Sequence, residues 1–284
     1  MQILDGKSLS EKIKINLKAE IDEFKALTKV TPGLAVILVG DDAASHTYVD
    51  MKAKACEKVG IYGITHKMPS DISEQDILAT VEMINENPKI HGLLIQLPLP
   101  KHIDTVKLLE AINPKKDVDG FHPYNFGRLN QGLDTLVPCT PLGVMELLAE
   151  YNIDVKGKNC VVVGASNIVG KPMAALLLNA GATVDICHIY TNDLKTHTLQ
   201  ADMIFVGVGK PNLLTADMVK EGAVVIDIGI SKVDKKIVGD VAFETVSQKC
   251  SYITPVPGGV GPMTIAMLLS NTLKAARNIT GISK

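Results

Sequence analysis

Residues 161–172 read Val161-Val162-Val163-Gly164-Ala165-Ser166-Asn167-Ile168-Val169-Gly170-Lys171-Pro172. The run of valines predicts a buried strand, Gly164 permits a tight turn, and the residues from about Val169 begin a helix. Amides at a helix start attract phosphate, and the Ser166 hydroxyl can donate to the same group. The spacing is G-x-S-x-x-x-G rather than G-x-G-x-x-G, so an ordinary strand-to-helix turn is the alternative. The stretch predicts a nucleotide-binding α/β unit.

The alternation of strands and helices extends in both directions from this turn. Towards the C-terminus, Val, Ile and Leu runs predict strands at 183–187, 203–206 and 223–228, after a helix over 169–179. Towards the N-terminus, we expect strands at 34–39, 63–68 and 92–97, separated by helices over 45–59 and 74–85. This order is typical of βαβ units with parallel sheets buried on both faces. We therefore predict two doubly wound α/β domains with a cleft between them, the second of Rossmann type.

A break in the alternation separates the two predicted domains. Pro, Gly, Asn and Asp crowd together between residues 113 and 138 without sustained periodicity. We place the first domain at 1–118, an interdomain segment carrying site residues at 119–137, and the Rossmann domain at 138–262. Apolar residues then recur at helical spacing, so residues 263–284 are expected to form an amphipathic helix that packs back on the first domain. Such sheets bind ligands beyond the carboxyl ends of their strands.

The composition excludes several classes of protein. A formal net charge of -2 over 284 residues gives no basic stripe for nucleic acid or an anionic membrane surface. We see no secretory signal and no apolar run of membrane-spanning length. Five cysteines are scattered without a C-x-x-C pair, so no metal site is predicted. Reduced thiols favour the cytoplasm, and small molecules are the expected ligands.

Tyr48 and Lys52 are the first candidate catalytic residues. They stand four residues apart in a predicted helix, hence one turn apart on one face. Desolvation lowers the pKa of an amine, and a neutral amine is a proton acceptor. The alternative is a solvated helix that also carries Lys54 and Lys58. Short-chain dehydrogenases share the Tyr/Lys spacing, but there it follows the glycine-rich turn, whereas here it precedes it.

Gln96 and Asp119 are the next candidates. Gln96 ends a buried strand, where an unpaired amide would cost about 1–3 kcal/mol, so it needs a ligand, Lys52 or the backbone as a partner. Asp119 lies in the interdomain segment, where a carboxylate can bind an amino-pyrimidine ring through paired N–H donors. The alternative for Asp119 is a turn-forming acid before Gly120.

Several segments, taken in chain order, resemble one known family. They are Tyr48-x-x-x-Lys52, Gln96-Leu97-Pro98-Leu99-Pro100, Lys116-Asp117-Val118-Asp119-Gly120, Pro138-Cys139-Thr140-Pro141, the Gly164 turn, and the segment from Pro255 to Thr264. The family is the bifunctional methylenetetrahydrofolate dehydrogenase/methenyltetrahydrofolate cyclohydrolase. The resemblance implies oxidation of 5,10-methylenetetrahydrofolate by a nicotinamide nucleotide, then hydrolysis of the methenyl product to 10-formyltetrahydrofolate. It also implies a homodimer that takes part in one-carbon metabolism.

The resemblance also implies residue roles. Lys52 would be the catalytic residue of the hydrolysis, with Tyr48 stacked on the folate, Gln96 holding Lys52, and Asp119 anchoring the pterin. Pro262 and Thr264 would belong to the loop from Pro257 to Thr264, which would close around the folate and the nicotinamide. The implied cofactor contacts are Gly164, Ala165, Ser166, Ile189 and Ile230.

The chain departs from the family where the cofactor's 2′-phosphate would bind. Many members carry Arg after the first Gly of the turn and a Ser-Arg pair after the Cys-His, whereas Ala165 and Ile189-Tyr190 stand here. On family grounds we expect NADP rather than NAD, with Lys171 and Lys195 as the remaining phosphate partners.

Two rival functions remain open from the residues. The first is a dehydrogenase of a hydroxy acid or amino acid, which would need a catalytic His or a Lys–Asp pair facing the cofactor. The second is a folate-binding protein without turnover. Lys52 and Gln96 argue against the second.

Overall fold

The computed structural model describes residues 1–234 and 236–282. In chain order its elements are β1 (Gln2–Ile3), α1 (Gly6–Thr28), β2 (Gly33–Val39), α2 (Ala43–Val59), β3 (Tyr62–Met68), α3 (Glu74–Glu86), β4 (Gly92–Ile95), α4 (Thr105–Ala111), α5 (Pro123–Asn130), α6 (Cys139–Glu150), β5 (Asn159–Val163), α7 (Gly170–Asn179), β6 (Thr183–Cys187), α8 (Leu194–Gln200), β7 (Met203–Val206), a 3₁₀ helix (Ala216–Met218), β8 (Val224–Asp227), β9 (Ser231–Val233), β10 (Lys236–Val238), α9 (Phe243–Val246), β11 (Tyr252–Ile253) and α10 (Val260–Thr280).

The elements form two compact units, each with its own parallel sheet, which confirms the predicted α/β class. The three-stranded unit comprises residues 12–128, 134–139 and the chain from Ile265. The six-stranded unit comprises residues 1–11, 129–133 and 140–264.

In the three-stranded unit, β2 lies between β3 and β4. Every residue of β2 and β4 is buried, as expected for parallel strands covered on both faces. Asp42 caps α2 by accepting the Ser45 amide at 2.8 Å, so the helix starts at a defined residue. The buried residues of α2 recur at steps of three and four, and Lys52 is one of them. The helix therefore turns a lysine towards its buried face.

In the six-stranded unit, the strand order is β1-β11-β8-β7-β5-β6. From β5 the chain first adds β6 on one side and then β7 on the other, so the direction of winding reverses between β5 and β7. The loops after these two strands diverge at that point. A crevice at the carboxyl ends of such strands is where parallel sheets bind nucleotides.

The N-terminus and several helices, α1 and α5 among them, differ from the sequence-based expectation. Residues 1–11 were predicted to lie in the first domain, but β1 pairs with β11 and they belong to the six-stranded unit. The predicted irregular segment 119–137 contains α5, which opens with Pro123, a residue suited to a first helical position. α1 was not predicted, although its buried residues Leu17, Ile21 and Phe24 follow helical spacing.

Two further observations concern the part of the chain that the structure describes. None of its helices combines the length and apolar character that crossing a bilayer requires. All five cysteines are free and buried.

Candidate active site

Lys52 and Gln96 form the centre of a polar site in the three-stranded unit. Lys52 is only 9% exposed, and its Nζ donates to Gln96 Oε1 at 2.9 Å. Gln96 directly follows β4, and its backbone amide donates to Ile37 O of β2 at 2.9 Å. The Gln96 Nε2 donates to Leu97 O at 2.7 Å. Two of the three partners considered for this amide, Lys52 and the backbone, are thus present, and the hydrogen bond to Gln96 holds the amine in one place.

Tyr48 lies one turn before Lys52 on α2, as the spacing predicts. Its side chain is 36% exposed, whereas Lys52 is buried. An aromatic ring at this position offers an accessible apolar face beside the buried amine, which suits a planar ligand.

Asp119 is a half-buried carboxyl in the same unit. Desolvation raises its pKa to about 6, with a further rise from the charge of Asp117. The positive charge of Lys52 and the nearby Cys139 thiol act in the opposite direction. Asp119 therefore changes its charge at a pH of about 6, and the positive charge of Lys52 stabilises its ionised form.

The turn that carries Asp119 is built by Asp117. The Asp117 carboxylate accepts hydrogen bonds from the Phe121 amide at 3.2 Å, the His122 amide at 2.9 Å and Asn125 Nδ2 at 2.8 Å. Burial raises the pKa of Asp117, and these donors oppose the rise. The turn-forming role considered for Asp119 is thus performed by the acid two residues earlier.

Asn271 supports this segment and was missed in the sequence. Its Nδ2 donates to Val118 O and to Val137 O, both at 2.8 Å, and the Cys139 thiol donates to Val118 O at 3.2 Å. The available signal was a polar residue on an otherwise apolar face of the last helix. Such a residue, when buried, needs hydrogen-bond partners.

The predicted phosphate turn lies at the reversal point of the six-stranded sheet. Gly164 follows β5 with φ +117°, and a Cβ there would lie 2.7 Å from Gly207 O. Ser166 Oγ accepts the amides of Val169 at 3.1 Å and Gly170 at 3.3 Å. A hydroxyl that accepts twice keeps its own hydrogen to donate, so Ser166 remains suited to a phosphate. The glycine turn, the helix start and this donor fit a bound dinucleotide.

The other predicted cofactor contacts lie in loops of the same unit. Ala165 follows Gly164 in the turn, Ile189 lies after β6 and is 90% exposed, and Ile230 lies after β8 and is 47% exposed. The two lysines considered as phosphate partners have partners of their own. Lys171 Nζ donates to Asn167 Oδ1 at 2.7 Å, and Lys195 pairs with Asp217 at 2.7 Å.

Pro262 and Thr264 were predicted to belong to a loop, with a helix from residue 263. In the structure they lie in α10, which already begins at Val260. Thr264 Oγ1 and Thr140 Oγ1 are 2.9 Å apart and hydrogen-bonded. The hydroxyl therefore has a protein partner at the start of this helix.

The fold and the two sites define an α/β protein of the enzyme type that combines a nucleotide-binding parallel sheet with a polar site centred on a buried lysine. Two family models match consecutive parts of the chain. The tetrahydrofolate dehydrogenase/cyclohydrolase catalytic domain matches residues 4–119, and the NAD(P)-binding domain of the same description matches residues 138–280. The chain belongs to the tetrahydrofolate dehydrogenase/cyclohydrolase family, which confirms the resemblance inferred from the sequence.

Relatives and solved structures agree with this membership. A bifunctional protein FolD of Nitratiruptor sp. is 74% identical over 277 residues, covering 98% of each chain. The bifunctional FolD dehydrogenase/cyclohydrolase structure from Campylobacter jejuni has a TM-score of 0.96 and 57% identity, covering 98% of this chain and 99% of that one. The Trypanosoma brucei dehydrogenase-cyclohydrolase, complexed with NADP and an inhibitor, has a TM-score of 0.94 and 36% identity, covering 98% of each chain.

Proposed function

We propose that this chain oxidises 5,10-methylenetetrahydrofolate to 5,10-methenyltetrahydrofolate with NADP⁺ and then hydrolyses that product to 10-formyltetrahydrofolate. The observation that carries the proposal is the Lys52 amine, buried on α2 and bonded to Gln96 at 2.9 Å. Family membership supports the pair of reactions. The glycine turn after β5 supports the nucleotide requirement.

The oxidation requires the nucleotide to be held and oriented. When bound, NADP⁺ supplies a nicotinamide ring that takes a hydride from the one-carbon bridge of the folate. Gly164, Ala165 and Ser166 bind the nucleotide at the phosphate turn, where Ser166 keeps a free hydroxyl hydrogen. Ile189 and Ile230 contact it through exposed apolar side chains.

The hydrolysis requires movement of protons. Water attacks the positively charged methenyl carbon and loses its first proton, which gives a neutral carbinol. The carbinol hydroxyl then loses the second proton as the C=O bond forms, the bond from that carbon to N5 breaks, and N5 takes up one proton. The net reaction releases one proton. Lys52 transfers protons between water and the folate, and Gln96 keeps the amine in place through Oε1. Gln96 is thus a positioning residue for Lys52.

The remaining residues bind the folate. Tyr48 stacks on it through its exposed ring face, and Asp119 anchors the amino-pyrimidine of the pterin through paired N–H donors. Pro262 and Thr264 complete the folate contacts, as the family resemblance implies.

Asp119 makes folate binding depend on pH. Its pKa is raised to about 6, so lowering the pH through this value neutralises the carboxylate that accepts from the pterin. We expect the KM for methenyltetrahydrofolate to rise as the pH falls below about 6. Asp119→Asn should raise that KM by about tenfold at neutral pH, and its pH profile should lack the step. A step of the same size in the variant would show that another group titrates.

A single spectrophotometric experiment tests the proposed function. Purified protein is mixed with methylenetetrahydrofolate and either NADP⁺ or NAD⁺, and reduced nucleotide and 10-formyl product are followed together. We expect both to form, faster with NADP⁺. Absence of reduced nucleotide with either cofactor would refute the dehydrogenase, and methenyl product that decays only at the buffer rate would refute the cyclohydrolase.

Ala165→Arg should shift the cofactor preference further towards NADP. The substitution places a guanidinium beside Gly164, where it can pair with a 2′-phosphate that NAD lacks. We expect the ratio of kcat/KM for NADP⁺ over NAD⁺ to rise by about tenfold. An unchanged ratio would mean that this turn does not govern the choice.

We also propose that the chain acts as a homodimer, on grounds of the family resemblance, and that it does so in the cytoplasm, on grounds of its reduced cysteines. Sedimentation equilibrium distinguishes a dimer from a monomer of 30.4 kDa. A monomer at micromolar concentration would end the dimer proposal.

A further inference from the structure

Two buried acids in the six-stranded unit have no role in the reactions proposed above. Asp227 is the last residue of β8 and is 3% exposed, and Asp240 follows β10 and is fully buried. Buried acids are rare unless their oxygens are satisfied. The hydrogen bonds of Asp227 and Asp240 show which backbone segments these two carboxylates hold in place.

Asp240 binds the loop that follows β7. Its Oδ2 accepts the amide of Val208 at 2.6 Å and the amide of Gly209 at 2.9 Å. Its Oδ1 is buried and has no hydrogen-bond partner among the described residues. A buried oxygen without a partner is destabilising, so stability alone does not account for an acid at this position.

The loop held by Asp240 lies against the phosphate turn. Gly207 O and the Val208 side chain would lie 2.7 and 3.1 Å from a Cβ at Gly164. The Gly207 amide in turn donates to Val163 O at 3.0 Å, at the end of β5. A shift of the Val208–Gly209 backbone would therefore displace the atoms that pack on Gly164.

Asp227 fixes the backbone of Asp240 itself. Its Oδ1 accepts the amides of Gly229 and Asp240, both at 3.0 Å, and its Oδ2 accepts the Val241 amide at 2.9 Å. Gly229 is adjacent to Ile230, a proposed cofactor contact. A Cβ at Gly229 would lie 2.2 Å from the Asp240 carboxyl carbon, so this carboxylate packs directly on the Gly229 backbone.

We infer that Asp240 is a positioning residue for the dinucleotide site: its buried carboxylate holds the Val208 and Gly209 amides, and thereby the loop that packs on Gly164. The inference rests on the proposed dehydrogenase function. Because the two amides are engaged by Asp240, they do not serve the phosphates of the nucleotide.

Asp240→Ala tests the inference through its effect on the cofactor. We expect the KM for NADP⁺ to rise by about tenfold, with kcat within about twofold of the parent. Hydrolysis of methenyltetrahydrofolate without nucleotide should keep its rate, which shows that the variant is folded. Asp240→Asn should restore the parent KM, because the amide oxygen can accept the same two N–H groups.

Asp202→Ala is the matched control. The Asp202 carboxylate also accepts a backbone amide in this unit, that of Asn159 at 2.9 Å, but at the opposite end of β5 from Gly164. We expect its loss to leave the KM for NADP⁺ unchanged. An equal rise of this KM in the control would mean that the loss of any backbone contact in the sheet weakens cofactor binding. That result would overturn the inference.

The remaining outcomes also decide the matter. A parent-like KM in Asp240→Ala, in an active enzyme, overturns the inference and leaves the proposed function intact, whereas an inactive parent protein refutes the function itself. If Asp240→Ala does not fold, Gly229→Ala displaces the same carboxylate from the other side and should raise the KM. A tenfold higher KM in Asp240→Asn would contradict the amide-holding role.

Discussion

Lys52→Met lowers the rate of methenyltetrahydrofolate hydrolysis by about 10²- to 10⁴-fold, the range that a proton-transferring side chain contributes. Methionine keeps an unbranched apolar chain on the buried face of α2 but has no amine to transfer protons or to donate to Gln96 Oε1. The measurement is the decay of methenyl absorbance at neutral pH, corrected for the buffer rate.

Lys54→Met controls for the loss of a lysine from the same helix. Lys54 is exposed, two residues further along α2, so its replacement changes the net charge equally without touching the site. We expect its hydrolysis rate to match the parent. Parent-like rates in Lys52→Met would remove Lys52 from the mechanism.

Gly164→Val lowers kcat/KM for NADP⁺ by about 10²-fold, the scale of an ångström-sized misplacement. The position has φ +117°, which a β-branched residue strongly disfavours, and its Cβ would meet Gly207 O at 2.7 Å. The turn must move, and the helix start that binds phosphate moves with it. Hydrolysis of methenyltetrahydrofolate without nucleotide should persist, since Lys52 belongs to the other unit.

Gly157→Val is a control that introduces backbone strain without the steric clash that Gly164→Val makes with Gly207. Gly157 lies in the same unit with φ +73°, but a Cβ there meets nothing within 4 Å. We expect a loss of thermal stability with an unchanged KM for NADP⁺. Equal losses of kcat/KM in both variants would mean that strain, not the contact with Gly207, sets the effect.

The fold could be predicted from local pattern to a large extent. The Val, Ile and Leu runs gave strands within about two residues of β2 to β8, because buried parallel strands are apolar on both faces. Pairing of β1 with β11 joins residues 2 and 252, and no local pattern in two residues specifies such a partner. α5 was missed because it spans only eight residues and contains Pro123 and Gly127, residue types that a sequence reading assigns to turns.

For the candidate site, the sequence indicated which residues to consider more readily than it indicated their contacts. Sequence spacing put Tyr48 and Lys52 on one helix face, and the cost of an unpaired amide named Lys52 among the partners of Gln96. The assignment of the turn to Asp117 rather than Asp119 depends on backbone geometry, since both acids precede Gly120. Asp240 was missed because its partners Val208 and Gly209 are more than thirty residues earlier and contribute only backbone amides.

Chemical rescue at position 52 tests the central role of the amine most directly. In Lys52→Cys, alkylation of the new thiol by a bromoethylamine reagent rebuilds an amine with sulfur in place of one methylene. The parent protein, whose five cysteines are free and buried, is treated in parallel so that modification of a native thiol is detected. We predict that Lys52→Cys does not hydrolyse methenyltetrahydrofolate, and that alkylation restores a large part of the rate while treated Lys52→Met gains none. Complete alkylation of the new thiol, verified by mass spectrometry, with no return of hydrolysis would contradict the account.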